Sequence, residues 1–218
     1  MRGGVLIDCI GRTVFDRTVV GQYLIEQLAM EPVAIVESDP FPAVSVLKDA
    51  RPCFPMQIYA NLPSKVAVVV SNFTPQGEVV KPLARSLLAW AHNKSIAFTI
   101  SSFGVRPEFI KGDICAAWST ANARARVEQS RIDRAADFME LTGLPAVMLN
   151  EASWNNQDVV VLIAQLTAAD DGGSGVADCI LQGIDILLPD IKINLDPSTA
   201  EVQQRVALNV GSRTTVGD

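Results

Sequence analysis

Apolar residues fall along this chain in two periods. Short, largely apolar runs at residues 5–7, 33–36, 65–70, 96–100, 114–118 and 159–166 read as strands, 65–70 with the pattern of a central strand buried on both faces and 159–164 with that of a buried strand. Between them, spacings of three and four predict helices. Over residues 16–30, Val19, Val20, Tyr23, Leu24 and Leu28 share a face, with Asp16 as the cap and Pro32 as the stop. Over 77–93, Val80, Leu83, Leu87, Leu88 and Ala91 do the same. Further helices are predicted over 120–127, capped by Thr120, over 144–154, from 175 to 188, and in a last stretch after Asp196-Pro197-Ser198 carrying Val202 and Val206.

Two segments have a different rhythm. Residues 43–47 and 54–59 alternate, and Asp49-Ala50-Arg51-Pro52 between them predicts an antiparallel hairpin with a long loop. Asp39-Pro40-Phe41-Pro42 reads as a turn held extended by its prolines, and Ser101-Ser102-Phe103-Gly104 as the loop that ends the strand before it. Helices alternating with buried strands predict a three-layer αβα architecture, a mostly parallel sheet with an antiparallel edge. No internal repeat is visible, so one domain is expected over residues 1–210, with a flexible polar tail over 211–218.

Composition narrows the function classes. Nearly half of the 218 residues are apolar, enough for a core that needs neither metal nor disulfide. No apolar run approaches the roughly 18 residues of a membrane helix, and the run after Gly4 is too short for a secretory signal, so the cytoplasm is the expected compartment. A net charge of −6 argues against a nucleic-acid partner. The one basic cluster, Arg124, Arg126, Arg131 and Arg134, is interleaved with Glu128 and Asp133, as on a solvated helix face. Cys9, Cys53, Cys115 and Cys179 are far apart and His92 is the only histidine, which leaves no zinc spacing and predicts reduced thiols in or near the core.

Candidate chemistry is sparse. Gly172-Gly173-Ser174-Gly175 precedes a helix but lacks the lysine of a phosphate-binding loop and follows Asp170-Asp171. His92 sits near a helix end, suited to the last carbonyls rather than to activating a nucleophile. Glu151 interrupts an apolar helix, where a hydrogen bond on the helix surface or between subunits is the expected role. In an open α/β sheet ligands collect beyond the carboxyl ends of the strands. There Arg12, Ser71, Phe73 and Ser101 are the crevice candidates, with Glu151 alongside, but they supply no poised acid–base pair. No enzyme activity, cofactor or metal is expected.

In chain order, several segments together resemble the family of proteasome assembly chaperone two, in its archaeal-type form. These are Tyr23-Leu24-Ile25-Glu26-Gln27-Leu28, Val33-Ala34-Ile35-Val36-Glu37, Phe41-Pro42-Ala43-Val44, Arg51-Pro52, Ile58-Tyr59, and Val68-Val69-Val70-Ser71-Asn72-Phe73. Gly143-Leu144-Pro145-Ala146-Val147-Met148-Leu149-Asn150-Glu151 and Pro189-Asp190-Ile191-Lys192-Ile193-Asn194-Leu195-Asp196-Pro197 continue the series. The resemblance implies a nucleoside-phosphorylase-like fold without that catalysis. It also implies a homo-oligomer that binds proteasome α-subunits or another protein, with a small-molecule crevice as the alternative. Phe41, Phe54, Trp118 and Trp154 are the interface candidates. The hydrophobic–Tyr–any-residue tail by which archaeal chaperones of this type are thought to dock has no counterpart in Val216-Gly217-Asp218, so docking by that route is not expected.

Overall fold

The computed structural model describes residues 1–10, 14–48, 50–166 and 174–191; at 14–18, 46, 48 and 174 only the backbone is described. Its centre is four parallel strands, β1 (Val5–Cys9), β6 (Val66–Ser71), β7 (Phe98–Val105) and β10 (Val159–Gln165). Antiparallel strands flank them. On one side are β5 (Met56–Asn61) and the edge strand β2 (Glu31–Ile35). On the other, β8 (Ile114–Trp118) runs antiparallel to β10 and carries the two-residue β9 (Asp133–Arg134). The sheet therefore has eight strands in the order β2-β5-β6-β1-β7-β10-β8-β9. The three-layer fold with a mostly parallel sheet and an antiparallel edge is as expected.

Alternation along each strand feeds two cores. Val5, Ile7 and Cys9 of β1 face one, which is closed by α1 (Val14–Gln27), α3 (Ala121–Ser130) and α5 (Ser174–Leu187). Leu6 and Ile10 face the other, closed by α2 (Val80–Asn93), which follows a 3-10 turn at Gly77–Val79, and α4 (Gly143–Trp154). Strands covered on both sides need apolar residues at every position, which explains the unbroken runs. Six buried side chains of α2, from Val80 to Ala91, form its inner face, each worth about 1–3 kcal/mol of apolar burial. Helix–sheet contact is close: a Cβ on Gly21 would stand 2.5 Å from Val70 Cγ1, and one on Gly183 2.6 Å from Ile114 Cδ1. Thr120 caps α3 as expected, its Oγ1 accepting from Ala123 N at 3.1 Å.

Four expectations are corrected. First, Asp16 lies inside α1 rather than at its cap, and Pro32 does not stop that helix. The helix closes where Ala29 turns left-handed, with Met30 N donating to Ile25 O at 2.9 Å, and Pro32 is the second residue of β2. A proline is tolerated there because β2 lies at the edge. Second, residues 43–47 and 54–59 do not form a hairpin. Instead β3 (Val46–Lys48) pairs with β4 (Arg51–Cys53) as a separate two-stranded ribbon, and β5 joins the main sheet. Third, Ser101 to Gly104 are not a loop but the middle of β7, held extended by β10 residues 161–164. Fourth, the basic cluster does not share one helix: α3 ends at Ser130, Arg131 turns left-handed after it, and the exposed Asp133 and Arg134 form β9 beside β8.

The loop at 11–13, the acidic glycine-rich segment at 167–173, the final predicted helix and the tail lie outside the described residues.

Candidate functional site

The chain leaves β1 toward β2, and β6 and β7 toward β10, so the topological switch point lies between β1 and β7. A cleft of about 390 Å³ opens there on the α2/α4 side. Ile10 and Phe103 contribute from the two strands, Val80 from α2, and Leu144 and Pro145 from α4. Thr74, Gln76 and Thr142 supply its polar side chains, and no charged side chain among the described residues lines it. Gly143, at φ +73°, makes the left-handed step into α4 that brings this helix start to the cleft.

Of the crevice candidates, Ser71, Phe73 and Ser101 make contacts within the fold, and none of the three is among the residues that line this cleft. Asp8, 2 % exposed, is the group that sequence reasoning missed. Its Oδ1 accepts from Ile10 N at 2.8 Å and its Oδ2 from Ser101 Oγ at 2.6 Å. A carboxylate in an otherwise apolar strand was a usable signal, because such a group is buried only with partners. Its partner Ser101, fully buried, sits 93 positions away on β7.

Ser71, also buried, closes the end of β6: its Oγ donates to Phe73 O at 2.7 Å and accepts from Phe73 N at 3.2 Å. The Phe73 ring packs edge-on against Phe41 at 4.9 Å between centroids. Glu151 lies elsewhere, on the outer surface of α4, paired with Arg85 of α2 at 2.8 Å. The hydrogen bond and charge of Arg85 hold its carboxyl below the usual range. Arg12 lies outside the described residues. The structure thus joins Ser101 to Asp8, leaves Ser71 and Phe73 at a neighbouring strand end, and separates Glu151 from both.

The cysteines are reduced, Cys9 and Cys115 buried, Cys53 and Cys179 partly so. Burial, then the charge of Asp133, pushes the Cys115 thiol up to about 11, so it is no nucleophile at neutral pH. Among the described residues no group of three or more His, Cys, Asp or Glu could hold a metal, and no helix is long and apolar enough to cross a membrane.

A second surface has the opposite character. Along β2, Ala34 and Val36 pack inward against the α2/α4-side core, whereas Val33 and Ile35 between them are about half exposed. Beside β2, a groove of about 590 Å³ runs between the 36–45 segment and residues 52–55; Phe41, Val44 and Phe54 line it with Glu37 and Asp39. Leu47, on the adjoining ribbon, is 69 % exposed. Of the interface candidates, Phe54 is exposed here and Phe41 half-buried. Trp154 is exposed at the far end of α4, and Trp118 is partly covered, with the Arg124 guanidinium 6.0 Å above its ring.

An αβα sheet with a parallel centre, a cleft with no charged side chain among the described residues and an edge with exposed apolar residues mark the class. The chain belongs to the PAC2 family, whose sequence profile matches residues 18–205. No curated protein matches it. Among solved structures it is similar to a protein of unknown function from Thermoplasma acidophilum, at 18% identity and a TM-score of 0.81, covering 97% of this chain and 86% of that one. It is similar to Pyrococcus furiosus PbaA, an archaeal homolog of proteasome-assembly chaperone, at 14% identity and a TM-score of 0.76, covering 97% and 94%. A proteasome-assembly chaperone homologue from Mycobacterium tuberculosis gives 13% identity and a TM-score of 0.65, covering 98% and 96%. At these identities the likeness is one of fold.

Proposed function

We propose that this protein is a non-enzymatic, cytoplasmic assembly chaperone that self-associates and binds proteasome α-subunits. The observation that carries the reading is the PAC2 match over residues 18–205. The likeness in fold to PbaA and to the Mycobacterium tuberculosis homologue, both described as relatives of proteasome-assembly chaperones, agrees with it. The surface supports the same reading: apolar side chains stand outward along β2 and its groove, while Asp8 and Ser101 bond each other and Ser71 bonds the Phe73 backbone. Exposed contiguous apolar surface of this kind marks a contact with another protein.

Native mass spectrometry of the protein, alone and with proteasome α-subunits of its own organism, tests the proposal. A defined oligomer that takes up α-subunits is expected; a species that stays apart from them at tens of micromolar would defeat it.

The cleft at the switch point favours a second reading, a binder of a small uncharged molecule such as a nucleoside. A thermal-shift screen of nucleosides and nucleotides would find a ligand whose effect disappears in a Thr74→Trp variant, which crowds the cleft. Absence of any shift would remove this reading.

A further inference from the structure

The edge of β2 is open: among the described residues it pairs only with β5. Natural edges are usually blunted by inward charges, bulges or covering loops. Here the devices are Pro32 and a register shift between Pro32 and Ala34, both at the beginning of the strand. Beyond them the edge is available. Val36 N donates inward to Met56 O at 3.1 Å, so by strand alternation the Ile35 N–H points to the unpaired side. Val33 and Ile35 are exposed beside that edge, and the groove containing Phe41, Val44 and Phe54 continues from its far end.

Charge says what fits. Glu31 stands at the start of the strand and Glu37 and Asp39 just past its end, all three exposed and none with an ion pair among the described residues. A second copy is a poor occupant. Two β2 strands pairing antiparallel about Ala34, the register that aligns Val33 with Ile35, set Glu31 against the Glu37 of the other copy at both ends. Shifting the centre by one residue sets a carboxylate against Val33 or Ile35 instead. Like charges directly opposite on paired strands destabilise them.

We propose that the β2 edge is a strand-docking site for an extended segment of a different protein, alternately apolar, with a Lys or Arg at each end. Such a segment adds a ninth strand by main-chain hydrogen bonds, lays its apolar side chains on Val33 and Ile35, and meets the three carboxylates with its cations. This inference rests on the reading of the protein as one that works through protein contacts, and it names the contact and its chemistry.

The test uses a fluorescein-labelled peptide, Lys-Thr-Val-Thr-Val-Thr-Lys, whose valines and lysines share one face, and fluorescence anisotropy with the full chain. Saturable binding is expected, weakened about tenfold or more when both lysines become glutamates. Methylating alternate backbone nitrogens of the peptide abolishes binding, as does Ile35→Pro, which deletes the outward N–H and leaves the bond from Val36 to β5 intact. The methylated peptide needs no change in the protein, so the test holds even if the proline variant misfolds. No saturable binding up to millimolar peptide, or binding indifferent to methylation, overturns the proposal. So does a wild-type dimer that Ile35→Pro dissolves, which would assign the edge to a second copy. Peptide binding without uptake of α-subunits upholds the edge and defeats the chaperone reading. Uptake undiminished in a folded Ile35→Pro variant does the reverse.

Discussion

Toward the carboxyl ends of β1 and β6 and in the middle of β7, a carboxylate and hydroxyls are turned inward and hydrogen-bonded. Along β2 and its groove, valine, isoleucine and phenylalanine are turned outward with carboxylates beside them. The first region is where an enzyme of this fold class would keep its reactive groups. Here Asp8 and Ser101 fasten β1 to β7, and Ser71 closes a turn, so these polar groups contribute to holding the sheet. The second region leaves apolar surface in water, a cost that the fold does not require and that contact with another chain would recover. The contrast is between polar groups bonded within the fold and apolar residues left exposed beside it.

The comparison breaks most visibly at Asp8. Asp8→Ala leaves the Ser101 hydroxyl and the Ile10 N–H without this acceptor inside the sheet, and should cost about 2–4 kcal/mol, seen in urea denaturation. A mild effect on stability together with a lost ligand response would return Asp8 to the list of functional groups.

Cys115 gives the next largest effect, through pH. Its thiol is held up to about 11 when folded, against an ordinary 9.0, because burial disfavours the thiolate. The raised value means that its contribution is complete below the ordinary thiol range and is lost as pH climbs toward the folded value. Denaturation curves of wild type and Cys115→Ala should therefore converge between those two limits, and iodoacetamide at about pH 8 should spare Cys115 in the folded protein. Rapid alkylation there would show that the thiol is not buried.

Smaller still, Val33→Thr and Ile35→Thr should change stability by no more than about 0.5 kcal/mol each, because both side chains are half exposed, while weakening partner capture. Loss of stability with capture intact would move this edge from function to folding. Least of all, Arg85→Gln should leave Tm within about one degree, since Arg85 is well exposed and an ion pair at the surface contributes little. Because Arg85 lowers the Glu151 carboxyl, whatever the pair contributes is present above the ordinary carboxylate range and lost as pH falls through the folded value.

Much of the fold was legible because double-sided burial writes itself into sequence. The runs at 66–70 and 159–165 allow no other reading than buried strands, and the spacing of Leu83, Leu87 and Ala91 marks the inner face of α2. What escaped was set by partners distant in the chain. Ser101-Ser102-Phe103-Gly104 has the composition of a loop and is a strand only because β10 lies beside it; the same pairing hid the role of Asp8. Alternation at 43–47 was real, but nothing local could say that its partner was 51–53 rather than 54–59. Exposure of Val33 and Ile35 was equally illegible, since among the described residues α1 packs chiefly over β6 and β1, and both side chains stay about half exposed.

Amide hydrogen exchange, followed by mass spectrometry on the protein alone and mixed with proteasome α-subunits, compares the two regions in one experiment. The account predicts new protection over residues 31–37 and 41–54, with residues 74–77 and 142–145 at the cleft unchanged. Protection confined to the cleft, or none in either region at saturating α-subunit, would contradict it.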